Sequence, residues 1–217
     1  MVKAVLWDLD GTLVDSLPYH WDAWREIAAA EGLSVTHGQF IWTLGKLNDE
    51  ILTEWSDGRL PQARRTELGL VKEARYRELL RVNGIAPLPG VVEWLERLRG
   101  AGWKQVVATS APRLNEEAVM EALGLSSWFD GRVVAEDVTR GKPFPDVFLT
   151  AAARVGARPE HAVVVEDAVA GIQAGRAAGM KTIGVNAKPL PGADVMVASL
   201  LDLPADAFER LIGLTQG

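Results

Sequence analysis

A short apolar run near the start of the chain ends in two closely spaced carboxylates. The run from Lys3 to Trp7 is typical of a buried strand, and Asp8-Leu9-Asp10-Gly11-Thr12 follows it directly. Because side chains alternate along an extended chain, Asp8 and Asp10 are predicted to leave the strand end on the same side. Two anions held this close repel each other unless a cation or a proton compensates. A lone D-x-D also fits an Asp-Gly turn with a solvated neighbour, so the choice depends on what the rest of the chain supplies.

Strands and helices alternate along the chain from residue 91 onward. Apolar runs typical of strands lie at 105–108, 132–135, 163–165 and 182–185, and helical patterns lie at 91–99, 115–123, 145–155 and 169–178. This alternation predicts an α/β fold, a doubly wound Rossmann-like parallel sheet. In such sheets, ligands bind outside the carboxyl ends of the strands.

Between residues 15 and 85 the chain has helical patterns only. Thr36 is predicted to cap a short helix through Leu44, and Asn48 is predicted to cap the next one. A long helix opens at Pro61 and is predicted to end at Gly84. We therefore expect an α/β core of residues 1–15 and 86–217 with an inserted all-helical cap domain of residues 16–85.

Three further groups follow predicted strands or lie in loops. Thr109-Ser110-Ala111 offers a hydroxyl and free backbone N–H groups, which suit an anion, although Ser and Thr also occur at such turns as plain caps. In Gly141-Lys142-Pro143 the proline holds the lysine out of a helix, and such a lysine is solvated unless a partner is near. Glu166-Asp167 ends another strand in paired acids, which suit Mg²⁺ or, singly, the dipole of the next helix. Together with Asp8 and Asp10, these groups predict one site at the strand ends.

The same residues carry a family resemblance. Asp8-Leu9-Asp10-Gly11-Thr12 resembles the first motif of the haloacid dehalogenase (HAD) superfamily of phosphatases and phosphomutases. Asp15-Ser16, Tyr19-His20 and Ala23-Trp24 resemble the opening of its helical-cap, β-phosphoglucomutase-like branch. The resemblance covers nearly the whole chain and includes the three further groups in the order of the superfamily's motifs.

The resemblance implies a role for each group in phosphoryl transfer. Asp8 would be the nucleophile that forms an aspartyl-phosphate, and Asp10 the general acid and base. Thr109 and the Ser110 amide would bind the phosphoryl group. Lys142 would neutralise both the nucleophile and the phosphate.

The resemblance also implies a Mg²⁺ cofactor. Its ligands would be Asp8, the backbone carbonyl of Asp10, and Asp167, with Glu166 either a fourth ligand or an acceptor behind the ligands. The implied reaction is hydrolysis of a small phosphomonoester of the sugar or polyol phosphate type.

Substrate choice is assigned mainly to the cap. The candidate substrate residues are His20, Lys46, Asn48 and, in the core, Arg113. Trp21, Trp24 and Trp42 are predicted to be core residues instead, because aromatic residues at helical spacing usually pack inside. The phosphomutases carry Arg in the loop 45–48 and Lys at the position of Pro112, and both departures favour a hydrolase.

Three other functions share part of this pattern. A phosphomutase would use every core residue named above. A two-component receiver domain also combines Asp pairs, Thr and Lys on a parallel sheet, but its phosphorylated Asp lies on a later strand and it lacks the helical insertion. A haloacid dehalogenase would keep Asp8 and need no metal, which Asp10 and the Glu166-Asp167 pair argue against.

Composition excludes several other classes. The net charge of −6 argues against a nucleic-acid binder, and the absence of Cys excludes disulfides, thiol nucleophiles and Cys-ligated zinc. No apolar run is long enough to span a bilayer and no signal peptide is visible, so we expect a cytoplasmic protein. The expected partner is a small phosphorylated metabolite, with no nucleic acid and no membrane, and the expected state is a monomer or weak homodimer.

Overall fold

The computed structural model describes residues 1–43 and 46–213. By their contacts these residues divide into a larger unit, Met1–Asp15 with the chain from Ile85 onward, and a smaller unit, Ser16–Gly84. The assignment of these units as catalytic core and cap stays a prediction. The predicted helix end at Leu44 and the start of the loop 45–48 at Gly45 lie outside the described residues.

Six parallel strands form the sheet of the larger unit. They are β1 (Ala4–Trp7), β2 (Lys104–Ala108), β3 (Gly131–Val133), β4 (Ala162–Glu166), β5 (Lys181–Val185) and β6 (Val195–Val197). Their order across the sheet is β3-β2-β1-β4-β5-β6, and every neighbouring pair is parallel. The predicted parallel α/β sheet is confirmed, and β6 is a strand that the sequence did not predict.

The described elements of the smaller unit are helices. They are α1 (Leu17–Ala30), α2 (His37–Ile41), α3 (Asn48–Trp55) and α4 (Gln62–Asn83). The Thr36 cap is confirmed, since its side chain accepts a hydrogen bond from the Gln39 amide at 3.3 Å. The predicted cap at Asn48 is wrong: the N-cap is Leu47, in extended conformation, and Asn48 is already helical.

The tryptophans of the smaller unit have different environments. Trp24 is 2% exposed and packs in its core with Phe40 and Leu52, as predicted. Trp21 is partly buried against the same cluster. Trp42 is 81% exposed, so its prediction as a core residue is wrong. It follows the last residue of α2, where the short helix has already ended.

The described part of the larger unit contains five α-helices. They are α5 (Val91–Gly100), α6 (Arg113–Leu123), α7 (Asp146–Arg154), α8 (Val169–Ala177) and α9 (Ala207–Leu211). On one face of the sheet, Leu6, Val106 and Val164 pack with Phe148 of α7. Every residue of β1 is fully buried, as expected for a central parallel strand covered on both faces. Among the described residues, no helix has both the length and the apolar character needed to cross a membrane.

The register of the central strands sets the level of their carboxyl ends. Trp7 of β1 pairs with Val107 of β2 on one side and with Val165 of β4 on the other. The next residue, Asp8, donates its N–H to the carbonyl of Val165 at 3.0 Å. Asp8 therefore follows β1 at the level where β4 ends in Glu166.

Two glycines leave room for carboxylates at these strand ends. A Cβ at Gly171, in the first turns of α8, would lie 1.8 Å from the carboxyl carbon and Oε1 of Glu166. A Cβ at Gly11, where φ is +89°, would lie 2.1 Å from Oδ2 of Asp167. Neither position accepts a side chain unless the acid moves.

We expect Gly171→Ala to destabilise the protein, although alanine favours helices. The added methyl overlaps the Glu166 carboxylate, and such overpacking typically lowers the free energy of unfolding by about 1–3 kcal/mol. Gly100, the last residue of α5, is the matched control, because a Cβ there meets nothing within 4 Å. Gly100→Ala should be neutral or stabilising by up to about 1 kcal/mol. Urea unfolding of both variants gives the comparison, and equal effects would contradict the crowding at Gly171.

Candidate active site

A buried lysine lies between two carboxylates at the strand ends. Lys142, in the loop between β3 and α7, places its Nζ 2.5 Å from Oδ1 of Asp8 and 2.6 Å from Oε1 of Glu166. The three side chains are at most 9% exposed. The predicted convergence of Asp8, Lys142 and Glu166, three residues far apart in the sequence, is therefore present in the structure.

The second acid pair extends this cluster. Asp8, Glu166 and Asp167 each offer one carboxylate oxygen, and these oxygens lie within 4.8 Å of one another. Both oxygens of Glu166 already accept a hydrogen bond, Oε1 from Lys142 and Oε2 from the Ala168 N–H at 2.9 Å. Glu166 therefore holds the lysine and the turn after β4, while Asp8 and Asp167 have more freedom to bind a cation.

The cluster contains more acidic side chains than basic ones. Burial and the charges of Glu166 and Asp167 hold the pKa of Asp8 well above its ordinary value, and Lys142 offsets this only in part. Burial, followed by the charge of Glu166, raises the pKa of Asp167 to about 7, and nearby Asp10 adds to the shift. Burial opposes the charged form of Lys142, but the attraction of Asp8 and Glu166 outweighs it and raises the pKa of this lysine.

The charges and donor atoms of the cluster indicate whether these residues fit a metal ion. Three ionised carboxylates around one ammonium leave two negative charges, and the available donors are all oxygens. Oxygen donors and excess negative charge suit a hard divalent cation, whose presence would lower the pKa values of Asp8 and Asp167. The cluster thus fits a metal ion held by Asp8 and Asp167.

The predicted phosphate-binding residues follow the strand next to β1. Thr109 comes directly after β2 and is buried, and its Oγ1 accepts the Ala111 N–H at 3.0 Å. Ser110 is exposed. Asp10 lies in a tight turn in which the Gly11 N–H donates to the Val14 carbonyl at 2.7 Å. These residues lie on the predicted edge of the sheet, and their roles in binding and proton transfer stay predictions.

In the smaller unit, His20 and Asn48 belong to one polar network. Lys72, only 3% exposed, lies 2.8 Å from Nδ1 of His20 and 2.9 Å from Oε1 of Glu73. Asn48 donates to the same Glu73 oxygen at 2.8 Å. Burial, with the charge of Lys72, lowers the pKa of His20 to about 3, so this imidazole is neutral at pH 7. Lys72 and Glu73 are not among the site residues predicted from the sequence.

A signal for Lys72 was present in the sequence. Leu68 and Tyr76, four residues before and after it, are buried on the same face of α4. A lysine between two apolar residues at this spacing indicates a buried cation that needs partners.

The other two candidate substrate residues are ion-paired within their own units. Lys46, in the smaller unit, forms a salt bridge with Glu54. Arg113, at the start of α6 in the larger unit, contacts Asp137 at 2.7 Å. Both cations therefore have a carboxylate beside them.

The chain is similar in sequence to known proteins over most of its length. A family model of haloacid dehalogenase-like hydrolases matches residues 2–179. The chain is 36% identical to hexitol phosphatase A of Escherichia coli K12 over 96% of this chain and 93% of that protein. It is 32% identical to β-phosphoglucomutase of Bacillus subtilis 168 over 96% of this chain and 95% of that protein.

A solved structure shows the same fold. CbbY of Rhodobacter sphaeroides in complex with xylulose-1,5-bisphosphate superposes with a TM-score of 0.82 at 26% identity, over 94% of this chain and 96% of that one. With the family-model match and the two relatives, the sequence resemblance is confirmed: this chain belongs to the haloacid dehalogenase-like hydrolase family.

Proposed function

We propose that this protein is a Mg²⁺-dependent phosphatase that hydrolyses small phosphorylated sugars or polyols through an aspartyl-phosphate on Asp8. The observation that carries the proposal is the position of Lys142 between Asp8 and Glu166 at the buried strand ends, beside Asp167. Membership of the hydrolase family and the hexitol phosphatase relative support the reaction and the substrate class.

Asp8 is the proposed nucleophile. One of its oxygens contacts the Lys142 ammonium at 2.5 Å, which holds the carboxylate in one orientation for in-line attack on phosphorus. As the aspartyl-phosphate forms, the same ammonium neutralises charge on the phosphoryl oxygens. A Mg²⁺ ion held by Asp8 and Asp167 would neutralise further phosphoryl charge. Glu166 keeps Lys142 at this position from the other side.

Asp10 is the proposed proton carrier. It lies two residues beyond the nucleophile in the turn that follows β1. In the first half-reaction it protonates the leaving oxygen of the sugar or polyol. In the second half it takes a proton from the water that attacks the aspartyl-phosphate, a role typically worth about 10²–10⁴-fold in rate. Thr109 and the Ser110 amide are the proposed ligands of the phosphoryl oxygens.

The smaller unit is the proposed source of substrate selectivity. The network of His20, Lys72, Glu73 and Asn48 combines a neutral imidazole, an ammonium, a carboxylate and an amide. His20 and Asn48 are the proposed substrate contacts, and the largely buried Lys72 and Glu73 hold them in place.

A phosphomutase of the β-phosphoglucomutase type is the second candidate, and the Bacillus subtilis relative favours it. A mutase must bind a bisphosphate intermediate in two orientations, so it needs cations for the distal phosphate. The two candidates for that task, Lys46 and Arg113, are each paired with a carboxylate. These pairings support the hydrolase over the mutase.

Asp8→Asn should abolish phosphate release while the protein stays folded. The change removes the nucleophile and a metal ligand at nearly constant shape, and we expect the rate to fall by at least about 10³-fold. The assay is Mg²⁺-dependent release of phosphate from a panel of hexitol and sugar phosphates, with circular dichroism as the folding check. Asp130→Asn, which alters a partly exposed ion pair with Lys104, is the matched control and should keep wild-type activity. A tenth of the wild-type rate in Asp8→Asn would contradict the covalent mechanism, and full activity after exhaustive chelation would contradict the metal site.

We also expect net hydrolysis without stimulation by a bisphosphate. A hexose 1-phosphate should release inorganic phosphate at a steady rate that a catalytic amount of hexose bisphosphate does not increase, because water is the acceptor. Lys46→Ala and Arg113→Ala should each change this rate by less than about threefold, since neither cation is needed for a single phosphate end. Bisphosphate-stimulated isomerisation faster than phosphate release would establish the mutase instead, and loss of that activity in either variant would identify the distal-phosphate ligand.

A further inference from the structure

The peptide unit that joins Asp167 to Ala168 is held at both ends by side chains. Its N–H, on Ala168, donates to Oε2 of Glu166 at 2.9 Å. Its carbonyl, on Asp167, accepts a hydrogen bond from Nδ2 of Asn186 at 2.9 Å. The peptide lies after the last residue of β4 and before the first residue of α8, so side chains rather than a strand ladder fix its plane.

Asn186 is itself fixed by backbone groups. It follows the last residue of β5, and its N–H donates to the carbonyl of Val197 in β6 at 2.9 Å. Its Oδ1 accepts the N–H of Lys188 at 2.8 Å. A carbonyl at one end and an N–H at the other allow only one orientation of the side-chain amide. The side chain of Asn186 is therefore held in place, with its Nδ2 donating to the Asp167 carbonyl.

The direction of the Asp167 carboxylate depends on this peptide plane. The carboxylate has Glu166 and Asp10 as like-charged neighbours, and their repulsion favours a backbone rotation that moves it away. The hydrogen bond from Asn186 to the Asp167 carbonyl resists that rotation, because a rotated peptide would leave this carbonyl without a donor.

We propose that Asn186 is a positioning residue of the metal site, which fixes the Asp167–Ala168 peptide and so directs the Asp167 carboxylate toward the cation. The proposal rests on the proposed role of Asp167 as a metal ligand. Asn186 ends a chain of contacts that runs from Asp8 through Lys142, Glu166 and this peptide. In other metal sites, removal of a hydrogen-bond partner behind a ligand typically weakens metal affinity 10- to 100-fold.

The test measures metal binding without substrate. Protein freed of metal with a chelator is titrated with Mn²⁺ at about 0.15 M salt, where distant charges are screened. Free Mn²⁺ is followed by its electron paramagnetic resonance signal. Asn186→Leu keeps the approximate shape and removes both hydrogen bonds. It should raise the dissociation constant for Mn²⁺ about tenfold. In activity assays the Mg²⁺ concentration for half-maximal rate should rise similarly, with kcat at saturating Mg²⁺ within about twofold of wild type.

Asp194→Ala is the control for general loosening of the chain between β5 and β6. Asp194 accepts hydrogen bonds from the Thr182 N–H and from Lys181 at the other end of β5. This variant should lose thermal stability and keep Mn²⁺ affinity within about twofold of wild type. If Asn186→Leu does not fold, Asn186→Asp takes its place, since it keeps an acceptor for Lys188 and replaces the donor to Asp167. An added negative charge alone would strengthen cation binding, so weaker binding isolates the lost hydrogen bond.

The outcomes separate this inference from the proposed function. If Asp167→Asn loses Mn²⁺ binding while the Asn186 variant binds like wild type, the metal site stands and the positioning role is overturned. Equal weakening in the Asn186 and Asp194 variants also overturns it. If wild-type protein does not bind Mn²⁺, the metal site itself is contradicted, and the inference with it.

Discussion

The ammonium of Lys142 between Asp8 and Glu166 is the interaction on which the strand-end site depends. Buried carboxylates at this separation repel strongly, and removal of one partner from such a buried cluster typically destabilises a protein by about 3–5 kcal/mol. One ammonium cannot balance three ionised acids, so the pKa values of Asp8 and Asp167 are raised in the absence of a cation. A divalent cation would favour the ionised form of both acids, and for this reason the site fits one.

The backbone maintains this arrangement as much as the charges do. Parallel register puts Asp8 beside the end of β4, and glycine at 171 leaves the volume that the Glu166 carboxylate occupies. The turn after β4 then connects the acid pair to Asn186 at the end of β5. Three adjacent strands thus contribute to one cluster, and a change in the backbone of any of them changes the distance between charges.

The sequence predicted the parallel sheet and the convergence of Asp8, Lys142 and the second acid pair because each acid follows an apolar run directly, and strand ends of a parallel sheet meet at one edge. It missed β6, a three-residue strand at the edge of the sheet in which no residue is buried, so the pattern of a buried strand does not mark it. The hydrogen bond of Asn186 with Asp167 joins residues 19 positions apart, and that of Asn48 with Glu73 joins residues 25 positions apart. No local sequence pattern specifies either contact. The cap prediction at Asn48 failed because Leu47 takes the extended conformation and its backbone N–H is satisfied by the Glu50 side chain.

Lys46 and Arg113 are each paired with a carboxylate. These carboxylates affect how well either cation could bind the second phosphate that a phosphomutase needs. The exposed Lys46–Glu54 pair contributes little stability, about 0–1 kcal/mol, so a phosphate could displace Glu54, whereas Asp137 is 15% exposed and also pairs with Arg154. The displaced carboxylate, however, would stay within a few ångströms of the incoming dianion and repel it. A distal phosphate would therefore gain less from either cation than from an unpaired arginine or lysine. A monophosphate whose other end carries hydroxyls meets no such repulsion. For that substrate, each cation and its carboxylate form a neutral pair, and no second phosphate site is needed.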